Sequence, residues 1–384
     1  MKKRLLTLLS VIFILTSAAY AQQANNFEVK FKIDGMQAEW ITSMFYGEKE
    51  IATSDKIELD KEKGEFIFSG YTPVPMVAAI GFGRDQRFFG IGHGAHIWLV
   101  VYPGAKLSVT GSLKDKKFAN FGAKDGGEND IMGILTQRLV PISYQTSTVG
   151  SQLRKIGGDT NNPDKERLEK EYEQLKKEQL KVKIDFAAEY KNSIAALYLM
   201  ENMLIYSEVD PSQLRPIITT VDISKYGKSY YYNTVKSRVD GAVAAVVGRP
   251  CPEVKTNSTY DGSTFDLKSL RGKFVIIDFW GTWCGPCVAG IPHLVEFRNN
   301  NREKVELVGI ASDDMKKWAD YIQKNNLDYP NILSRGGDDD FVAKFNVQGY
   351  PTKLVIDPNG IIVLRETGES EEFYVKMKGM IKQN

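Results

Sequence analysis

Cys284 and Cys287 stand two residues apart in the run Trp283-Cys284-Gly285-Pro286-Cys287. That spacing suits a redox dithiol. If a helix opens here, both sulfurs fall in its first turn, close enough for a disulfide. A helix start also carries unpaired N–H groups and a partial positive charge. Both favour the thiolate of Cys284, whose pKa is expected below the free value of about 8.5. Cys287 is expected to be packed more deeply. It would attack a mixed disulfide formed on Cys284 and release the reduced product. Pro286 suits an early helical position, where its missing N–H is no loss. Asp278 lies at the end of the apolar run Phe274-Val275-Ile276-Ile277, upstream of Cys284. A carboxylate is expensive to bury ionised. Burial should raise its pKa and fit it to accept a proton from Cys287. The plainer alternative is an acid that caps a turn or pairs with a lysine.

Two other chemistries compete for these cysteines. Structural zinc takes four ligands, often from two such pairs. This chain offers one pair, with only Cys251, His93, His96 and His293 to complete it. The dithiol therefore reads as working without metal or cofactor. His93 and His96 read as loop or core residues, and His293 as a packing or surface residue. Cys251 reads as a small buried hydrophobe, with a third thiol for intermolecular bonding as the alternative. The second competitor is a thiol peroxidase of the AhpC/TSA type. That type has a proline and a threonine before its cysteine; the run Phe279-Trp280-Gly281-Thr282-Trp283 has no such proline, and no arginine lies adjacent.

The elements that must position the pair are legible around it. Phe274–Trp280 reads as a strand, Val288–Asn299 as a helix, Val305–Ala311 as a strand and Met315–Asn325 as a helix. A loop follows, then Thr352–Asp357 as a strand, Pro358-Asn359-Gly360 as a turn, Ile361–Arg365 as a strand, and a helix from about Glu371. Such alternation, closed by a hairpin and a helix, predicts an α/β domain with a mixed sheet over residues 246–384.

Upstream, the chain changes character twice. Residues 22–120 read as an all-β, sandwich-like domain. Phe27, Val29, Phe31 and Ile33 alternate with polar residues, as do Phe66 and Phe68. Ile97 to Tyr102 is an apolar run ending at Pro103-Gly104. Short strands with frequent turns suggest antiparallel pairing. Residues 121–245 read as a helical connector. From Asn161 to Lys191 eight basic and eight acidic residues are intermixed, which describes a solvated helix face. The alternative is a spacer or dimerisation arm. A second helix is expected to start near Ser193, and Asp210-Pro211 marks a break.

Lys2, Lys3 and Arg4 precede an apolar run that ends in Ala19-Tyr20-Ala21. That is the layout of a signal peptide, residues 1–21, cleaved after Ala21. The expected location is therefore the periplasm. With 384 residues, two or three domains are expected. At 42% hydrophobic and 26% charged, the composition argues against disorder, collagen and a multi-span membrane protein. A net charge of +2 gives no reason to expect a nucleic-acid partner.

The residues around the pair resemble the thioredoxin superfamily. Asp278-Phe279-Trp280 followed by Trp283-Cys284-Gly285-Pro286-Cys287 carries the resemblance. Pro292 stands where thioredoxins kink the active-site helix, Tyr350-Pro351-Thr352 where they place a cis-proline, and Gly368 before the last helix. Val247-Gly248-Arg249-Pro250-Cys251-Pro252 and Leu270-Arg271-Gly272-Lys273 are similar to the exported TlpA/ResA type. The resemblance implies a thioredoxin fold, a Cys284–Cys287 redox disulfide, and Trp283, Gly285, Pro286, Tyr350 and Pro351 as substrate-binding residues. It implies a cis Pro351 that exposes the Tyr350 backbone to an extended substrate strand. Gly285-Pro286 matches reductive members rather than strong oxidants. The expected partners are protein disulfides, including apocytochrome in cytochrome c maturation, with a membrane-embedded thiol reductase as donor and a homodimer possible. Thioredoxins often pair the buried acid with a lysine on a neighbouring strand. Glu306-Leu307-Val308-Gly309-Ile310 supplies none. The size of the region before residue 246 leaves another reading open, a binding or scaffolding module with an accessory redox domain.

Overall fold

The computed structural model describes residues 25–34, 41–45, 54–60, 65–82, 96–112, 123–159 and 162–383. The expected signal peptide and His93 lie outside the described residues. The chain divides into two units, one reaching Val182 and taking in Ser193–Ala195, the other comprising Lys183–Asn192 and everything from Ala196.

In the first unit, alternating apolar residues produce short strands. They are β1 (Phe27–Asp34), β2 (Ile41–Phe45), β3 (Ser54–Asp60), β4 (Glu65–Gly70), β5 (Met76–Phe82), β6 (His96–Val101) and β7 (Lys106–Ser112). Two sheets result, ordered β3-β4-β1-β7 and β2-β5-β6. One core takes Phe27, Val29, Phe31, Phe66 and Phe68 from the first sheet and Met76, Ala78, Ile97, Leu99 and Val101 from the second. The two inner faces therefore meet as a sandwich. Pairing is antiparallel except between β1 and β7, which run parallel. That corrects the antiparallel expectation. No hairpin joins these two strands, so no turn dictates their direction.

Helices α1 (Glu128–Ile156) and α2 (Lys165–Glu189) follow. Asn129 of α1 is buried against β6. Its amide donates to Val100 O and its carbonyl oxygen accepts from Val100 N, both at 2.9 Å. The side chain thus acts as a piece of neighbouring strand and satisfies that peptide. The charged stretch forms exposed helix pairs such as Lys170–Glu166 and Arg167–Glu171. Such pairs contribute only about 0.3–0.5 kcal/mol each, as a solvated face requires.

Three helices of the second unit precede its sheet together with most of α3 (Ile194–Ile205). They are α4 (Pro211–Ile218), α5 (Ile223–Tyr226) and α6 (Tyr230–Ala244). Asp210 and Gln213 form a capping box that starts α4, so the break at Asp210-Pro211 is also a helix start. After the short pair β8 (Lys255–Thr256) and β9 (Phe265–Asp266) come β10 (Phe274–Trp280), α7 (Gly285–Asn300), β11 (Val305–Ala311), α8 (Met315–Asn325), β12 (Asn331–Leu333), α9 (Phe341–Lys344), β13 (Thr352–Ile356), β14 (Ile362–Thr367) and α10 (Glu371–Gln383).

These strands form a mixed sheet, β12-β11-β10-β13-β14. β12 was expected as loop; its three residues are too few to show a period, and pairing with β11 makes it a strand. β10 is central and buried at every residue. Its alternation splits two cores. Ile277 and Phe279 pack with Phe341 and Phe345, whereas Phe274 and Ile276 pack with Leu294, Phe297, Phe373 and Met377 of α7 and α10. Asp278 shares the second face by strand period.

Phe31 and Phe66 stack with ring centroids 4.4 Å apart. Phe31→Ala is expected to destabilise the first unit by about 3–5 kcal/mol. Hydrogen exchange of the β1 and β4 amides checks this: their protection should fall by that amount, and an unchanged rate would contradict the packing.

Candidate functional site

β10 delivers the chain to the site, and a tight loop turns it into α7. Gly281 is required there, because a Cβ would lie 2.5 Å from Trp283 Nε1 and 3.0 Å from Ser312 O. The Trp283 indole folds over the glycine and donates from Nε1 to Ser312 O at 2.8 Å. Thr282 N donates to Asp313 Oδ2. The segment after β11 thus pins the loop by two bonds, and Trp283 remains 61% exposed. The Trp283 and Tyr350 rings meet in a T-shaped contact, with centroids 5.0 Å apart.

Cys284 is the N-cap of α7, with Pro286 among its first residues. Cys284 and Cys287 are joined as a disulfide, their Cα atoms 5.3 Å apart. Cys287 N donates to Cys284 Sγ at 3.2 Å, so the outer sulfur takes the place of a capping oxygen. Both sulfurs pack with Trp280, Ile291, Ala311 and Trp318, and Cys287 is the more deeply buried. Tyr350–Pro351 is a cis peptide bond. Pro351 O accepts from Gly368 N at 2.7 Å, which ties this turn to the chain entering α10.

Asp278 is 3% exposed, and its Oδ1 has no hydrogen-bond partner among the described residues. In register it faces Gly309 on β11 and Lys353 on β13. The acid does therefore have a lysine opposite it, on the other neighbouring strand from the one searched in the sequence. Directly paired residues point to the same face of a sheet. Lys353 is 1% exposed and projects beside the acid. Its ammonium donates to Glu369 Oε1 at 2.5 Å and to Gly368 O at 3.3 Å. Glu369 remains 27% exposed and is pressed against α7, where a Cβ on Gly290 would stand 2.1 Å from Glu369 Oε1. Burial pushes the Asp278 carboxyl up to about 7; Lys353 opposes that rise and Glu369 adds to it.

Lys353 and Glu369 are the residues sequence reasoning missed. A Lys following Tyr350-Pro351-Thr352 has no motif of its own, and only the β10–β13 register puts it beside Asp278. The other candidates lie elsewhere. His293 is exposed on α7. Cys251 is half-buried against the Phe279 side of the sheet, and burial pushes its thiol up to about 12. Among the described residues, no group of three or more His, Cys, Asp or Glu is placed to hold a metal.

Residues 246–378 match the Redoxin family. The chain is 29% identical over 125 residues to the thiol-disulfide oxidoreductase ResA of Bacillus cereus, covering 32% of this chain and 70% of that protein. It is 28% identical over 114 residues to ResA of Bacillus subtilis, covering 29% and 63%. Among solved structures it is similar to the thioredoxin domain of a thiol-disulfide oxidoreductase from Bacteroides vulgatus. That likeness has 22% identity and a TM-score of 0.32, covering 35% of this chain and 97% of that one.

The raised carboxyl has a measurable consequence. Between the unfolded pKa of about 3.9 and the folded value near 7, the folded chain holds one more proton than the unfolded chain. Stability from this group is thus complete below the lower value and lost as pH rises through the upper one. The loss at pH 8 is at most about 4 kcal/mol. Asp278→Asn is expected to flatten this dependence and to be the more stable form at pH 8. Denaturant unfolding of the oxidised chain at pH 5 and pH 8 checks it, and parallel pH profiles for both proteins would contradict it.

Proposed function

We propose that residues 246–384, a thioredoxin-superfamily domain of the TlpA/ResA type, act as an exported thiol–disulfide oxidoreductase that reduces protein disulfides. The observation that carries this reading is the Cys284–Cys287 disulfide at the N-terminus of α7, beside a buried acid. The oxidised pair is the end state of the cycle. In the reduced enzyme, the Cys284 thiolate attacks one sulfur of a substrate disulfide. A mixed disulfide forms, and the other substrate sulfur leaves as a thiolate. Asp278 takes the proton from Cys287. The Cys287 thiolate then attacks Cys284 Sγ, closing the internal bond and releasing the second substrate sulfur. Two electrons pass to the substrate, whose two released thiolates take up one proton returned by Asp278 and one from solvent. A thiol donor restores the electrons.

Each role has a physical basis. The free N–H groups of α7 favour negative charge on the outer sulfur. A carboxyl that titrates near neutrality can both accept and return a proton at working pH. Lys353 tempers that value, and the exposed edge of Glu369 offers the buried pair a route to solvent. Trp283, Gly285, Pro286, Tyr350 and Pro351 line the approach to Cys284, with the Tyr350 backbone receiving an extended strand of the substrate. Gly285-Pro286 favours the reductive direction. Apocytochrome and misoxidised thiols are fitting substrates, and a membrane thiol reductase is a fitting donor. The signal-like start supports export; no described helix is long and apolar enough to cross a membrane.

Cys284→Ser is expected to abolish turnover. Cys287→Ser should accumulate mixed disulfides on Cys284, which mass spectrometry of the adducts identifies, naming the partners. Adducts on Cys251 instead would overturn the assignment. Asp278→Asn should slow resolution by at least about tenfold near neutral pH, as general-base removal does. A resolution rate unchanged across pH would remove Asp278 from the mechanism.

A further inference from the structure

The helices before residue 246 lie outside the matched residues 246–378. From Ala196 on, however, they belong to the same unit as the dithiol. α6 and the chain just after it meet the segment leading into Tyr350-Pro351 at three places. The first is Gly241. A Cβ there would stand 2.4 Å from Lys344 O and 2.9 Å from Ala343 O, so the α6 backbone lies directly against α9. The second is Arg238, a buried residue whose Nη1 donates to Val347 O at 3.2 Å, just before Tyr350. The third is Arg365 of β14. Its guanidinium donates to Ala245 O at 3.1 Å, to Phe345 O at 3.0 Å and to Asn346 O at 2.9 Å. One side chain thereby joins the end of α6 to the same segment.

Charge is buried behind these contacts. Arg238 lies in the field of two carboxyls, Glu201 of α3 and Asp340, which caps α9 by accepting from Ala343 N at 2.9 Å. Tyr230 of α6 hydrogen-bonds Glu201. Burial raises both acids, Glu201 to about 8. Plain packing of α6 would be met at less cost by apolar residues, since desolvating an arginine and two acids is expensive. What an arginine adds is directed N–H groups, and here one is aimed at a main-chain oxygen of the substrate segment.

We propose that α6 is a built-in brace for the 343–350 segment, and that Arg238 is a positioning residue that fixes the Tyr350 backbone to receive peptide substrates. The inference rests on the reading of Tyr350-Pro351 as the substrate-binding edge. It gives the helices from Ala196 to Ala244 a part in the reaction: they set affinity for polypeptide disulfides and leave sulfur reactivity alone.

The test uses the full chain and two disulfides. Insulin offers a peptide backbone, whereas bis(2-hydroxyethyl) disulfide offers none. Arg238→Gln is expected to raise KM for insulin about tenfold with kcat little changed, the order expected for one lost charge-assisted hydrogen bond. Its rate with bis(2-hydroxyethyl) disulfide should be unchanged, and Arg238→Lys should recover part of the insulin loss. Gly241→Ala, which forces α6 away from α9, should give the same split if Arg238→Gln does not fold. Equal losses on both substrates would reduce Arg238 to a structural residue, and no loss on either would remove the brace. Pro351→Ala separates the two levels. If it raises insulin KM while Arg238→Gln does not, the brace alone fails. If neither does, the substrate-edge reading fails with it.

Discussion

Burying a carboxyl in the middle of a sheet is the constraint around which the second unit is arranged. β10 is buried at all seven residues, and Asp278 is among them. On one side its register partner is Gly309, which has no side chain to offer. On the other it is Lys353, which cannot itself be buried unpaired and is met by Glu369. Glu369 in turn needs space against α7, which Gly290 leaves. A chain of three charged residues, Asp278, Lys353 and Glu369, thus runs from the sheet interior to the partly exposed loop before α10. Each link exists because the previous one would otherwise be an unpaired buried charge.

The same strand end sets the sulfur chemistry. Where β10 stops, Gly281 lets the chain turn beneath the Trp283 indole, and Cys284 becomes the cap of α7. The outer sulfur is held by the Cys287 N–H at a helix terminus, the inner one lies in an apolar cluster, and the acid sits on the strand that leads to them. The proposed reactivity, resolution and proton transfer therefore fall to three residues of one continuous segment, 278–287. Around it, the cis turn at Tyr350-Pro351 is held by Gly368 from one side. The preceding segment is held by Arg238 and Arg365.

The dithiol and its acid were legible because their signals are local: an apolar run, a turn, and a Cys pair at helix-start spacing. β11, α8 and the start of α10 were legible for the same reason, each carrying a clear period or punctuation. Lys353 was not. Its pairing with Asp278 depends on which strand neighbours β10 and in what register, and no single segment encodes that. The parallel β1–β7 pair failed to show for the same reason, since first and last strands of a domain meet through topology rather than through a turn. β12 is too short to carry a pattern. The charged α2 face read correctly because exposed alternation of sign is itself the pattern. That residues from Ala196 to Ala244 pack with the dithiol unit rests on Gly241 and Arg238, single residues whose meaning appears only once α9 lies against them.

The central claim is that two sulfurs of one helical turn exchange electrons reversibly with protein thiols. A titration of the full chain in graded oxidised and reduced dithiothreitol, with free thiols at each cysteine counted by mass spectrometry, tests it most directly. The account predicts that Cys284 and Cys287 gain and lose their bond together, at a potential near the roughly −270 mV of a reductive thioredoxin. Cys251 should stay reduced throughout. A pair that never re-forms its bond, or one with a potential near the roughly −120 mV of a strong oxidant, would contradict it.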